Sequence, residues 1–302
     1  MFKRNWKRLG IIAGLSLSLF AAGCSSDDDT SSNNSTDGDS SAAVEDQEIN
    51  LAYVTWDTEI ASTNVIGKVL EDLGYDVTLT ALDNSIMWEA VANGEADAMV
   101  AAWLPATHKS QFADYGDQME QLGPNLEGAK IGLVVPSYMD VDSIADLADE
   151  ADMKITGIEP GSGVVTSAEQ ALEDYENLAD WEVVTSSSGA MATALGEAFD
   201  NEEEIIVTGW SPHWKFAKYD LKYLEDPNGS FGGAETIETM VREGLKDDMP
   251  EAYQVLDNFY WSPEDIESVM LDISEGMDEE EAAAKWIEEN PDKVAEWTEG
   301  IE

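Results

Sequence analysis

The chain has 302 residues, with 64 Asp and Glu against 15 Lys and Arg and a formal net charge of −49. That balance excludes a nucleic-acid or anionic-membrane surface as the working partner, because both need a positive footprint. With 43% hydrophobic and 9% aromatic residues, the chain is globular and long enough for a substantial core. One Cys and two His exclude an internal disulfide and leave too few ligands for a zinc, haem or iron–sulfur site, so no cofactor is expected.

Lys3, Arg4, Lys7 and Arg8 precede an apolar run from Leu9 to Gly23, the pattern of a secretory signal over residues 1–23. The run is short for a bilayer span, which needs about 20 apolar residues. Phe20-Ala21-Ala22-Gly23-Cys24 resembles a bacterial lipobox, although Ala21 stands where Leu is more usual, and lipid attachment at Cys24 is expected. Loss of the signal removes four basic and no acidic residues, which leaves 64 acids against 11 bases, a formal charge of −53, and Arg242 as the sole arginine. Such an excess repels itself unless salt screens it, which points to an exterior facing a saline medium. Residues 24–47 are almost devoid of apolar side chains and read as a disordered acidic tether reaching about 25 Å as a flexible coil.

From Glu48 the sequence alternates between strand and helix patterns. Strands are expected at residues 49–55, 75–81, 98–103, 130–136, 154–158, 182–185 and 204–208. Helices are expected at 58–73, 85–93, near 110–121 and 143–148, from about 164 to 175, and at 189–199. Such alternation predicts parallel sheets covered on both faces. After Asp226 the apolar spacing becomes helical, with helices expected at 234–245, 250–258, 263–273 and 279–290. Pro250 and Pro263 suit first helical positions. The acidic runs Glu202–Glu204 and Asp278–Glu281 read as a solvated loop and a solvated helix start.

Trp56, Trp103 and Trp210 each stand at or just past the end of a strand. Open α/β sheets bind ligands beyond the carboxyl ends of their strands, so three indoles could share a pocket there. Each could equally cover a sheet end as core. Indole faces suit a quaternary ammonium through cation–π attraction, and sugar stacking is the competing use of the same rings. Between a strand and a helix lies Gly157-Ile158-Glu159-Pro160-Gly161-Ser162-Gly163-Val164, whose glycines free backbone N–H groups for an anion at the helix start. It lacks the third glycine of a dinucleotide fingerprint and the Lys-Ser/Thr of a phosphate loop, so a single carboxylate fits better than a polyphosphate. His108, in Trp103-Leu104-Pro105-Ala106-Thr107-His108, could donate to the same anion.

The blocks Tyr53-Val54-Thr55-Trp56, Trp103–His108, Gly157–Gly161, Thr208-Gly209-Trp210-Ser211-Pro212-His213-Trp214 and Asp247–Tyr253 resemble the glycine betaine-binding proteins of ABC-type osmolyte importers. The resemblance runs from about Glu48 to Glu299. It implies an α/β, two-lobed fold of the type II periplasmic-binding-protein kind that closes on its ligand in the interlobe cleft. It further implies that Trp56 and Trp103 from one lobe and Trp210 from the other cage the trimethylammonium, and that the Gly163 and Val164 N–H groups with His108 hold the carboxylate. The first lobe is expected at residues 48–136 with 228–302, and the second at 137–227.

A betaine suits these residues chemically, since its cation and carboxylate lie about 5 Å apart and carry no net charge. Expected ligands are glycine betaine and proline betaine, with carnitine, or less well choline, as the alternative, and a sensor using the same site is a further one. The expected partners are ABC permease subunits, with membrane contact through the lipid anchor alone. No Gly-x-Ser-x-Gly elbow or Cys–His pair appears, and Ser186-Ser187-Ser188-Gly189 reads as a helix cap, so no enzymatic activity is expected.

Overall fold

The computed structural model describes residues 47–301; the signal, the Cys24 lipid site and nearly all of the tether lie outside the described residues. The order is β1 Glu48–Tyr53, α1 Asp57–Asp72, β2 Asp76–Ala81, α2 Asn84–Ala92, β3 Ala98–Leu104, α3 Lys109–Tyr115 and β4 Met119–Pro136. It continues with β5 Lys154–Gly157, α4 Gly163–Asp174, β6 Glu182–Thr185, α5 Ser188–Asp200, β7 Val207–Ser211, α6 Lys215–Lys218, β8 Leu221–Tyr223 and β9 Glu235–Arg242. Five helices follow: α7 Leu245–Asp248, α8 Pro250–Asn258, α9 Pro263–Ser274, α10 Glu279–Glu289 and α11 Pro291–Trp297.

The strands run in the order β2-β1-β3-β9-β4-β7-β5-β6, with β8 also paired to β4. β1 is parallel to β2 and β3, and β5 is parallel to β6 and β7, as strand–helix alternation predicts. β4 and β9 run antiparallel to their neighbours. β4 belongs to two sheets: its residues from Met119 to Ala129 pair with β9, and those from Lys130 to Pro136 pair with β7 and β8. Residues 130–136, expected with the first lobe, therefore hydrogen-bond into the second sheet.

Three assignments differ from expectation, one of them the helix expected at 143–148, where only Ile144–Asp146 form a 3-10 turn. Residues 234–245 read as helix because Ile237, Met240, Val241 and Leu245 fall at helical spacing. They instead form β9, buried between β3 and β4, where the β-branched Thr236, Ile237, Thr239 and Val241 suit a pleated surface. The helix expected near 110–121 stops at Tyr115, and the chain is already extended from Met119.

α1 packs on β1, β2 and β3 and touches α9 and α10. α9 starts with Pro263 behind a capping box, in which Ser262 accepts from the Asp265 amide while Asp265 accepts from the Ser262 amide at 2.8 Å. Beneath these helices Phe259, Trp261, Trp286 and Trp297 form an aromatic group, with Trp286 and Trp297 stacked at 5.4 Å and 10°. Ser187 caps α5 by accepting from the Ala190 amide at 3.3 Å, the role its serine run suggests.

Candidate ligand-binding site

One cavity of about 310 Å³ of unfilled space is lined by Trp56, Thr58, Trp103, Thr107, His108, Ile131, Ile158, Ser162, Gly163, Val164 and Trp210. All six residues expected at a ligand site meet there, although they come from both sheets. Trp56 caps the start of α1 just past β1, and Trp103 is the sixth residue of the fully buried β3. Trp210 is the fourth residue of β7, and Gly163 and Val164 open α4. No lining residue carries a carboxylate or an ammonium group.

Part of the cavity lining consists of neutral donors. The Trp103 amide donates to His108 Nδ1 at 3.1 Å, so the ring proton sits on Nε2. That Nε2 is buried and without a partner, and the ring is fully buried, which pushes its pKa down to about 3. His108 is therefore an uncharged donor at neutral pH. Its ring stacks on Trp56 at 5.9 Å and 23° and meets the edge of Trp88 at 5.7 Å.

At the first positions of α4 the N–H groups have no intrahelical acceptor. The Ser162 hydroxyl does not cap them, because it donates to the Glu159 carbonyl at 2.9 Å. Gly163 is required by a close approach: a Cβ there would lie 2.3 Å from the Thr107 carbonyl oxygen. The Thr107 loop is held by Glu235 of β9, whose carboxylate accepts from the Ala106 and Thr107 amides at 2.7 and 2.8 Å.

Behind the rings lie groups that residue-type reasoning did not single out. Glu59, in the first turn of α1, accepts from Trp103 Nε1 at 2.8 Å and from the Thr58 hydroxyl at 2.5 Å. Burial nonetheless pushes its pKa up to about 7 against those hydrogen bonds. Glu159 accepts from Trp56 Nε1. Asp57 accepts from Trp214 Nε1 at 2.6 Å and from Ser188 Oγ at 3.0 Å, and lies 3.5 Å from His213 Nε2. Burial opposes charge on Asp57, but its donors outweigh burial and hold the carboxyl well below its usual range. His213 is pushed down to about 4 by burial and by Lys215, so at neutral pH its contact with Asp57 is dipolar and not an ion pair.

Lys215 is fully buried, with Nζ 4.3 Å from the Trp210 ring centroid and 3.4 Å from the Trp210 carbonyl oxygen. Burial pushes it down to about 7. Among the described residues no group of three or more His, Cys, Asp or Glu is arranged to hold a metal ion. None of the described helices is long and apolar enough to cross a membrane.

This architecture is that of a type II periplasmic binding protein. Lactococcal OpuAC, in its closed-liganded conformation complexed with glycine betaine, matches with a TM-score of 0.82 at 55% identity, over 84% of this chain and 100% of that one. The glycine/betaine/L-proline-binding protein ProX from Borrelia burgdorferi matches with a TM-score of 0.80 at 36% identity, over 83% of this chain and 96% of that one. Residues 47–289 match the substrate binding domain of ABC-type glycine betaine transport systems, and the chain belongs to that family. The glycine betaine/carnitine transport binding protein GbuC of Listeria monocytogenes is 51% identical over 162 residues. That match spans 53% of this chain and 54% of GbuC, about half the length of each.

Proposed function

We propose that this chain captures glycine betaine, and proline betaine with it, and delivers it to an ABC importer in osmoprotection. The observation that carries the reading is the cavity: three tryptophans, a neutral imidazole N–H and the open amides of a helix start, with no charged side chain in its lining. Indole faces attract the trimethylammonium while the N–H groups take the carboxylate. A lining without net charge limits the desolvation penalty of enclosing a zwitterion. Trp56 and Trp103 contribute the cage from one lobe and Trp210 from the other, and His108, Gly163 and Val164 receive the carboxylate.

The lobes are residues 48–136 with 228–302 and residues 137–227 in this reading, and β4 joins them, its residues Lys130–Pro136 already pairing with strands of the second sheet. Binding proteins of ABC importers work outside the cytoplasm, and here Cys24 anchors the body by lipid to the outer face of the cytoplasmic membrane, within reach of the permease subunits. The site performs no chemistry on its ligand.

Titration calorimetry with glycine betaine, proline betaine, carnitine, choline and a sugar tests the reading. Betaines are expected to bind and the sugar is not. Choline should bind more weakly than glycine betaine, because it leaves His108 Nε2 and the α4 amides unpaired. His108→Ala should weaken glycine betaine more than choline, and equal losses would remove the anion role. Preference for carnitine would assign the alternative cargo, and no binding by any quaternary ammonium compound would sink the proposal.

A further inference from the structure

The carboxylates behind the cage make a crossed pattern. Trp56 and Asp57 follow β1 of the first sheet, whereas Glu159, Ser188 and Trp214 follow β5, β6 and β7 of the second. Trp56 Nε1 donates to Glu159, while Asp57 accepts from Trp214 Nε1 at 2.6 Å and from Ser188 Oγ at 3.0 Å. Each side thus offers the other one indole N–H and receives it on one carboxylate. Asp57 is also the first residue of α1, where a negative charge faces the positive end of the helix.

We propose that Asp57 and Glu159 form a reciprocal indole–carboxylate clasp across the cleft that sets how long the closed protein retains its ligand. The inference rests on the ligand-binding reading above and assigns its retention step to residues outside the cavity lining. Trp56 couples the two events. Its face lines the cavity and its edge reaches Glu159, so a ligand that fixes the ring also fixes the donor. The next residue, Asp57, is carried into place by the same turn of chain. When the sides part, both carboxylates and both indoles return to water. The clasp therefore contributes only to the closed state, and its loss appears in the dissociation rate.

Stopped-flow tryptophan fluorescence on the full folded chain with glycine betaine tests this through Asp57→Asn, Glu159→Gln and Ser188→Ala. Asn and Gln keep shape and an acceptor while removing the charge. Asp57→Asn and Glu159→Gln should each raise the dissociation rate about tenfold, as expected for weakening a charged hydrogen bond. Ser188→Ala should raise it by about threefold, the cost of one neutral donor. Association should stay within about twofold, and the ligand-free thermal midpoint should fall by less than the bound one, Asp57→Asn losing only its charge at the start of α1 there. Dissociation rates matching the parent in both carboxylate variants would overturn the clasp. So would a fall in the ligand-free midpoint as large as in the bound one, since the bonds would then serve folding alone. Failure of the parent chain to bind glycine betaine would strike the ligand reading itself, before any variant is compared.

Discussion

At Trp103 the ring lines the cavity and its N–H is held by the buried Glu59. Truncation removes both the π face and the donor of a buried carboxylate. Trp103→Ala should therefore weaken glycine betaine binding by well over about 1 kcal/mol, as anchors in desolvated pockets do; calorimetry giving near-parental affinity would remove Trp103 from the cage. Glu59 gives a pH prediction. Its pKa is raised to about 7, so between about pH 4 and 7 the unfolded chain has released a proton that the folded one keeps. Its contribution to stability is complete below that window, declines across it and is flat above. Glu59→Gln should flatten this slope and stabilise the protein at pH 8 by on the order of 2 kcal/mol, measured by urea unfolding at pH 4 and pH 8; an unchanged slope would refute the assignment. The tryptophans, His108 and the glycine run could be read from sequence because few roles suit those types at strand ends. Asp57, Glu59 and Glu159 could not. In a chain with 64 acidic residues, three more acids look like solvated surface until their partners are placed.

α4 turns a backbone position into a test. Its first residue, Gly163, faces the Thr107 carbonyl so closely that a methyl group has no room. Gly163→Ala must push the Thr107 loop and the start of α4 apart, displacing the amides that open the helix. The expected loss of betaine affinity is on the order of 1–3 kcal/mol, with little change in the far-ultraviolet circular dichroism; unaltered affinity would show that the approach is not needed for binding. At this level the parallel β–α units could be read from sequence because each strand is a compact apolar run beside a periodic helix. β9 could not, since its buried Glu235, Glu238 and Thr239 break the apolar alternation, and its remaining apolar residues mimic a helix. Glu235 is buried because it ties down the loop that carries Thr107, so the polar content that hid the strand serves the site.

Over the whole molecule the charge excess dominates. Few cations are available to offset it: Lys215 is buried, and Arg242 is paired with Asp97 and Asp248. Added salt screens the remaining repulsion. The thermal midpoint should rise as NaCl approaches molar levels, as calorimetric scans would record, and a flat or falling midpoint would contradict the reading. The body's two-sheet plan followed from strand–helix alternation together with the family motifs. That β4 serves both sheets did not, because its residues before Lys130 have too little apolar patterning to announce a strand.

The stacked Trp286–Trp297 pair lies in the C-terminal helices and shares no residue with the cavity lining. Two indoles held face to face in an asymmetric setting give a strong near-ultraviolet dichroic band, which exists only while the native packing exists. The pair's share of that signal should hold constant through a betaine titration even as emission from the cavity rings shifts. A single sample then reports occupancy and folded fraction on separate channels, so a variant that has merely begun to melt is told apart from one that has lost its cargo.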